Sequence, residues 1–217
     1  MPPTTPLRHH YIAYRAFVRA KVACLRHAQG DPSAGADVRA YTDLTVRHLR
    51  AGTVRLILVG GGPATGKTTL AGGIADRLGA VVLSSDRVRK EMAGLSPGLS
   101  AAAACQNGIY TREWTDRTYR ELLLRAGDLL RRGETVVLDA SWIAARHRAA
   151  ARQVAVETHS DLCQLRCTAD RPTVVRRLAH RTGSMSDADA AIADAMADAA
   201  APWPETAVMT ANPSNTR

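Results

Sequence analysis

The apolar positions of the first fifty residues recur at intervals of three and four. Leu7, Tyr11, Tyr14, Val18, Val22 and Leu25 form one stripe, the spacing of an amphipathic helix. Gly30-Asp31-Pro32-Ser33 breaks the pattern, and Asp31 before Pro32 is a helix restart signal. Val38, Tyr41 and Leu44 line a second helix, which Gly52 can close. Residues 1–52 therefore read as a helical hairpin whose stripe needs something to pack on.

From Thr53 the pattern shortens. Arg55-Leu56-Ile57-Leu58-Val59 is an apolar run of strand length, followed by glycines and a helical stretch to Leu78. Val81–Leu83 predicts a second strand, and a helix follows from about Arg87. Residues 94–107 are rich in Gly, Pro, Ser and Ala and read as a loop. A helix is expected from Ile109 to Arg132, ended by Gly133, and Thr135–Leu138 is a third strand running into Asp139. Then come a helix from Arg146 to Thr158, a strand from Leu162 to Cys167, helices at Pro172–His180 and Asp187–Ala199, and a strand at Thr206–Met209. The polar tail 212–217 is expected to lack structure.

Strands alternating with helices predict an α/β domain over 53–211 with a parallel sheet covered on both faces. Ligands bind such sheets beyond the carboxyl ends of the strands. Three polar features fall there: the glycines after the first strand, Asp86 after the second and Asp139 after the third.

Composition narrows the classes. The chain of 217 residues is long enough for a core without staples. No apolar run spans a membrane and no signal peptide opens the chain, so a cytoplasmic protein is expected. The cysteines, Cys24, Cys105, Cys163 and Cys167, lack metal-site spacing and read as reduced thiols. A net charge of +9 would suit a polyanionic partner. Nearly all of that charge is Arg, however, and very high Ala accompanies it, as a coding bias would produce; nucleic acid stays open as a substrate only. The only lysines are Lys21, Lys67 and Lys90, so the placement of Lys67 carries more information than usual.

Lys67 sits in Gly61-Gly62-Pro63-Ala64-Thr65-Gly66-Lys67-Thr68, a complete G-x-x-x-x-G-K-[ST]. Glycines let backbone amides surround phosphates, and the helix opening near Gly66 aims its free amides and positive dipole end at them. Lys67 supplies a cation to the β and γ oxygens, the Thr68 hydroxyl ligates Mg²⁺, and Thr69 extends the binding segment. The strand before and the helix after argue against a chance glycine turn. ATP and Mg²⁺ are the expected ligands.

Asp86 can face the γ-phosphate and accept a proton from a substrate hydroxyl; the plainer role is to cap the next helix. Arg89, one turn on, can hold an anionic substrate group. Asp139 has the place of a Walker B carboxylate, holding Mg²⁺ or substrate. Ser141, Trp142 and Arg148 are candidate linings of the acceptor pocket. Arg177 and Arg181, four apart, can close over ATP as a lid and stabilise charge on the phosphoryl, or simply form a solvated basic face.

In that order, these elements resemble the P-loop kinase group that includes polynucleotide 5′-hydroxyl kinase, chloramphenicol phosphotransferase, zeta toxin and gluconate kinase, and within it the proteins called AAA family ATPases. The resemblance implies a five-stranded sheet of order 2-3-1-4-5, ATP with Mg²⁺, a carboxylate base at Asp86 and lid arginines near Arg177 and Arg181. It does not imply a hexameric motor. Tyr14 to Val22 resembles the last helices of an aminoglycoside-phosphotransferase-like domain, which precedes a P-loop domain in actinobacterial bifunctional proteins. That implies that residues 1–52 pack on a neighbour or self-associate. The function expected is phosphoryl transfer to a hydroxyl of a small molecule or a nucleic-acid 5′ end. The alternatives are an ATP-binding regulatory module without a dedicated acceptor, and an NTP-hydrolysing switch. Against the switch, the chain has neither a guanine-reading N-K-x-D element nor an obvious water-orienting Gln beside the third strand.

Overall fold

The computed structural model describes residues 5–96, 111–179, 196, 200–204 and 206–210. The chain divides into two compact units, Met1–Val54 with Arg132–Glu134, and Arg55–Arg131 with Thr135–Arg217. The expected helix over 187–199 and the tail 212–217 lie outside the described residues, apart from Met196, as does most of the loop over 94–107.

In the first unit, α1 (Thr5–Ala28) and α2 (Ala34–Ala51) pack as a hairpin. Asp31 organises the turn: its Oδ1 accepts from the Ser33 amide at 3.0 Å and the Ser33 hydroxyl at 2.6 Å. The Ser33 hydroxyl first, and then the Arg26 guanidinium, hold its carboxyl down to about 2. The buried face of α1 is Ala13, Ala16, Ala20 and Ala23, not the expected stripe. Leu7, Tyr11, Tyr14, Val18, Val22 and Leu25 are 41% to 64% exposed. The alanines also recur at three and four, and small side chains let two helix axes come close. The helix therefore has two apolar faces, and the one with small residues makes the hairpin.

The second unit is a five-stranded parallel sheet of order β2-β3-β1-β4-β5. Its strands are β1 (Arg55–Gly60), β2 (Val81–Ser84), β3 (Val136–Asp139), β4 (Asp161–Thr168) and β5 (Ala207–Thr210). The helices are α3 (Lys67–Leu78), α4 (Ser85–Met92), α5 (Arg112–Arg131), α6 (Ala145–Glu157) and α7 (Arg171–Ala179). On one face Ile57, Val59 and Val137 pack with Ala71 and Ala75 of α3. Leu56 and Leu58, of opposite parity, are fully buried too, so both faces of the central strand are covered. Cover runs out at β5, where all four residues are exposed. In register, Val59 stands beside Asp139, and Asp139 beside Ser84, so the ends of β1, β2 and β3 lie level. That levelling brings the P-loop, Asp139 and the start of α4 to one rim. Among the described residues, no helix is long and apolar enough to cross a membrane.

Candidate active site

The loop from Gly61 to Gly66 bends through left-handed backbone at Gly61 (φ 138°), Ala64 (φ 56°) and Gly66 (φ 93°). Glycine is required at Gly61, because a Cβ would stand 2.4 Å from the Cys167 carbonyl oxygen. Thr65 Oγ1 and Lys67 Nζ both donate to the Gly62 carbonyl, at 2.8 and 2.9 Å, tying the loop into a cradle. The helix α3 begins at Lys67, directly behind it. At one wall, burial pushes the Cys167 thiol up, against the nearby Lys67 cation.

The two residues expected at the metal meet: Thr68 Oγ1 donates to Asp139 Oδ2 at 2.8 Å. Asp139 is buried at the end of β3. One hydroxyl and one carboxylate are a fitting protein share for Mg²⁺, which takes its other oxygens from phosphates and water.

Asp86 lies in the first turn of α4, and the N-cap position belongs to Ser84. Arg89 is 8% exposed and donates to Thr115 Oγ1 of α5 at 3.2 Å. Lys90 is fully buried, and its Nζ lies 3.2 Å from Asp86 Oδ2.

Behind the rim, Tyr119 of α5 stands as a post. Its hydroxyl lies 3.1 Å from Ser141 Oγ and accepts from the Trp142 amide at 3.0 Å. Trp142 takes a left-handed φ of 54°, so this bond supports a strained turn after β3. Burial pushes the Tyr119 hydroxyl up, so it stays neutral and able to donate. His147 of α6 stacks on the Tyr119 ring at 3.9 Å and meets Asp116 Oδ1 at 2.7 Å.

Arg148 is engaged by backbone carbonyls. Its guanidinium donates to the carbonyls of Trp142 (2.6 Å), Ile143 (3.0 Å) and Pro202 (2.7 Å), and lies over the Trp203 ring. It clamps two loops together, and those carbonyls account for its burial. Arg177 does reach the site: its Nη1 donates to the Ala64 carbonyl of the P-loop at 3.1 Å. Arg181 lies outside the described residues. A cavity of about 270 Å³ opens beside the loop, walled by Gly61, Ser141, Arg166, Arg171 and Trp203.

Sequence reasoning missed Lys90, Tyr119 and the Arg148 clamp. Only Lys90 carried a signal: a rare lysine four residues after Asp86. Tyr119 occupies an apolar position of its helix, where nothing in the sequence marks a hydrogen-bonding post.

Comparisons with known proteins agree with this architecture. The model of the AAA domain family matches residues 56–203. An uncharacterised protein of Mycobacterium tuberculosis H37Rv is 43% identical over 197 residues, which are 91% of this chain and 40% of that one. An uncharacterised protein of Mycobacterium bovis matches to the same extent. The chain thus spans about 40% of the length of these relatives. Among solved structures, a candidate kinase of Chloroflexus aurantiacus superposes with a TM-score of 0.54 at 24% identity, over 73% of this chain and 87% of that one. The APS kinase of Mycobacterium tuberculosis superposes with a TM-score of 0.52 at 19% identity, over 76% and 91%. At such identities the likeness is one of fold, and the fold is that of P-loop kinases.

Proposed function

The chain belongs to the AAA domain family and has the P-loop kinase fold; from that premise we propose that it moves the γ-phosphoryl of ATP to a hydroxyl of a small molecule or of a nucleic-acid 5′ end. The observation that carries the reading is the convergence on the P-loop of Asp139 from β3 and Arg177 from α7. A binding module needs the loop alone; phosphoryl transfer also needs a metal-holding carboxylate and a cation for the moving charge.

The roles follow from position. Loop amides and Lys67 bind the phosphates. Thr68 and Asp139 would hold Mg²⁺, which offsets phosphate charge when bound. The acceptor hydroxyl gives its proton to the Asp86 carboxylate as its oxygen bonds to the γ-phosphorus. The bond from that phosphorus to the bridging oxygen breaks, and ADP leaves. Arg177, from the P-loop edge, stabilises charge on the moving phosphoryl, and Arg181 follows it four residues on. Arg89 and Ser141 face the acceptor. Asp86→Asn should lower acceptor-dependent ADP release about 10²- to 10⁴-fold while leaving ATP affinity nearly unchanged. Transfer at the wild-type rate would remove Asp86 from the chemistry.

The same reading groups the chain with polynucleotide kinase, chloramphenicol phosphotransferase and zeta toxin, on the order of its motifs. It takes residues 1–52 as the tail of an aminoglycoside-phosphotransferase-like domain, docked in longer proteins against the rest of that domain. The exposed stripe of α1 and the greater length of the relatives support this.

A further inference from the structure

Arg166 takes no part in the steps assigned to the rim, yet it lines the cavity of about 270 Å³ beside the P-loop. It is half-buried near the end of β4, paired in register with Gly60 of β1. Among the described residues no carboxylate pairs with it. Its charged neighbour is a like charge: burial first, and then Arg166, push the Arg148 guanidinium down. Arg171, the first residue of α7, adds a second guanidinium to the wall. Asp170 beside it is turned to the helix, accepting from the Thr173 amide at 3.0 Å. Among the described residues no acid lines the cavity. A half-buried cation with no acid beside it costs stability, so packing alone does not account for Arg166. Ser141 adds a donor. The buried Tyr119 hydroxyl accepts from the Trp142 amide at 3.0 Å, so its own proton needs an acceptor, and Ser141 Oγ lies 3.1 Å away. Were Ser141 the donor, a buried phenol proton would be left without a bond. The Ser141 proton is therefore left for the cavity that Ser141 lines. Trp203 gives its Nε1 to Gln164 Oε1 at 3.0 Å and so offers the cavity only a ring. The wall includes Gly61, Gly62 and Pro63 but no residue of α3, whose N-terminus receives the phosphates. A ligand there stands against the P-loop without occupying the triphosphate's place.

We propose that this cavity anchors the acceptor and that the acceptor is a small anion, whose carboxylate or phosphate group is held by Arg166 and Arg171 and accepts a hydrogen bond from Ser141. This rests on the reading of the chain as a phosphotransferase and narrows its acceptor to one chemical class. The guanidinium fork meets two oxygens of a carboxylate or phosphate at once, which an uncharged hydroxyl compound does not supply. A polycation such as an aminoglycoside meets like charges there. The volume is that of a small-molecule site, not of a groove for a nucleic-acid strand. The anchored group stays unreacted; a separate hydroxyl of the same molecule takes the phosphoryl.

The test has two arms, both on the full chain. In the first, Mg²⁺ and saturating β,γ-imido-ATP fill the P-loop so that it cannot take the probe. Calorimetry then compares D-glucose, D-glucuronate, D-glucose 6-phosphate and D-glucosamine, one ring carrying no charge, a carboxylate, a phosphate and an ammonium. At least one of the two anions should bind about tenfold or more tighter than glucose, and the tighter one tells carboxylate from phosphate. Glucosamine should bind no tighter than glucose. Arg166→Gln should remove most of the difference, since one charged hydrogen bond is worth about that factor. In the second arm, the acceptors that stimulate ADP release from Mg²⁺-ATP should be small and anionic. Arg166→Gln should raise the acceptor KM at least about tenfold and leave KM for ATP near wild type. Where a melting curve shows Arg166→Gln unfolded, Ser141→Ala reads the same subsite, with a rise of about two- to tenfold. Anions that bind no tighter than glucose, discrimination unchanged in the variants, or stimulation only by uncharged acceptors, aminoglycosides or oligonucleotides overturns the anionic acceptor and leaves phosphoryl transfer in place. Arg166-dependent anion binding with no acceptor that stimulates release overturns phosphoryl transfer, and the acceptor role of the cavity with it.

Discussion

Lys67 ends in its own loop, donating to the Gly62 carbonyl at 2.9 Å. A triphosphate offers that ammonium a stronger acceptor, because charge-assisted bonds to phosphate oxygens exceed one to a neutral carbonyl. Lys67→Ala should therefore weaken ATP binding at least about tenfold, as one charged hydrogen bond is worth roughly 1.5–3 kcal/mol. Calorimetry showing unchanged affinity would remove the loop from nucleotide binding. A second residue-scale expectation concerns Gly60, where a Cβ would stand 2.4 Å from the Trp203 ring. Gly60→Ala should cost about 1–3 kcal/mol by overpacking, read as a lower denaturation midpoint. How legible each residue was depended on how local its chemistry is. The P-loop can be read from eight adjacent residues, because backbone and side chains of one segment make the cradle. The Arg148 clamp cannot, since its acceptors are carbonyls near 142 and at 202, and any residue has a carbonyl.

At the scale of elements, α1 shows what periodicity can and cannot decide. Two apolar stripes share its 3.6-residue repeat, and hydrophobicity favours the larger side chains, yet the alanines are the ones buried. Ala20→Leu should thus destabilise the hairpin by about 1–3 kcal/mol, because the close approach to α2 leaves no volume. Val18→Ser, on the outer stripe, should change its stability by less than about 0.5 kcal/mol. Thermal melts followed by circular dichroism compare the two; the reverse order would return the packing face to the large residues. The contact of α5 with α6 adds a pH dependence. Burial, ahead of the Asp116 bond that opposes it, holds His147 below its ordinary value of 6.5. The folded state therefore binds fewer protons at that ring than the unfolded state does. Its contribution to stability is present above about 6.5 and is lost as pH falls from there through the lower folded value. The melting temperature should drop more between pH 7.5 and 5.5 in wild type than in His147→Gln. Equal drops would take His147 out of the acid sensitivity.

For the whole molecule, the alternation of strand and helix foretold the parallel sheet, and the strand order came from the family resemblance rather than from any local signal. Strand order depends on which crossovers pack, and that is a property of the assembled core. The same holds for the identity of the acceptor, which a cavity shape selects. The high positive charge, concentrated in arginine, leaves nucleic acid open only as an acceptor. The proposed activity is phosphoryl transfer at the rim formed by the P-loop, Asp86, Asp139 and Arg177. The direct test is ADP release by purified protein with Mg²⁺-ATP, alone and with 5′-hydroxyl oligonucleotides, nucleosides, sugars, sugar acids and aminoglycosides. The expected result is release that one class of acceptor accelerates, with the phosphoryl group recovered on its hydroxyl. Slow release that no acceptor changes, from protein that binds ATP well, would contradict it and favour an ATP-binding regulatory module.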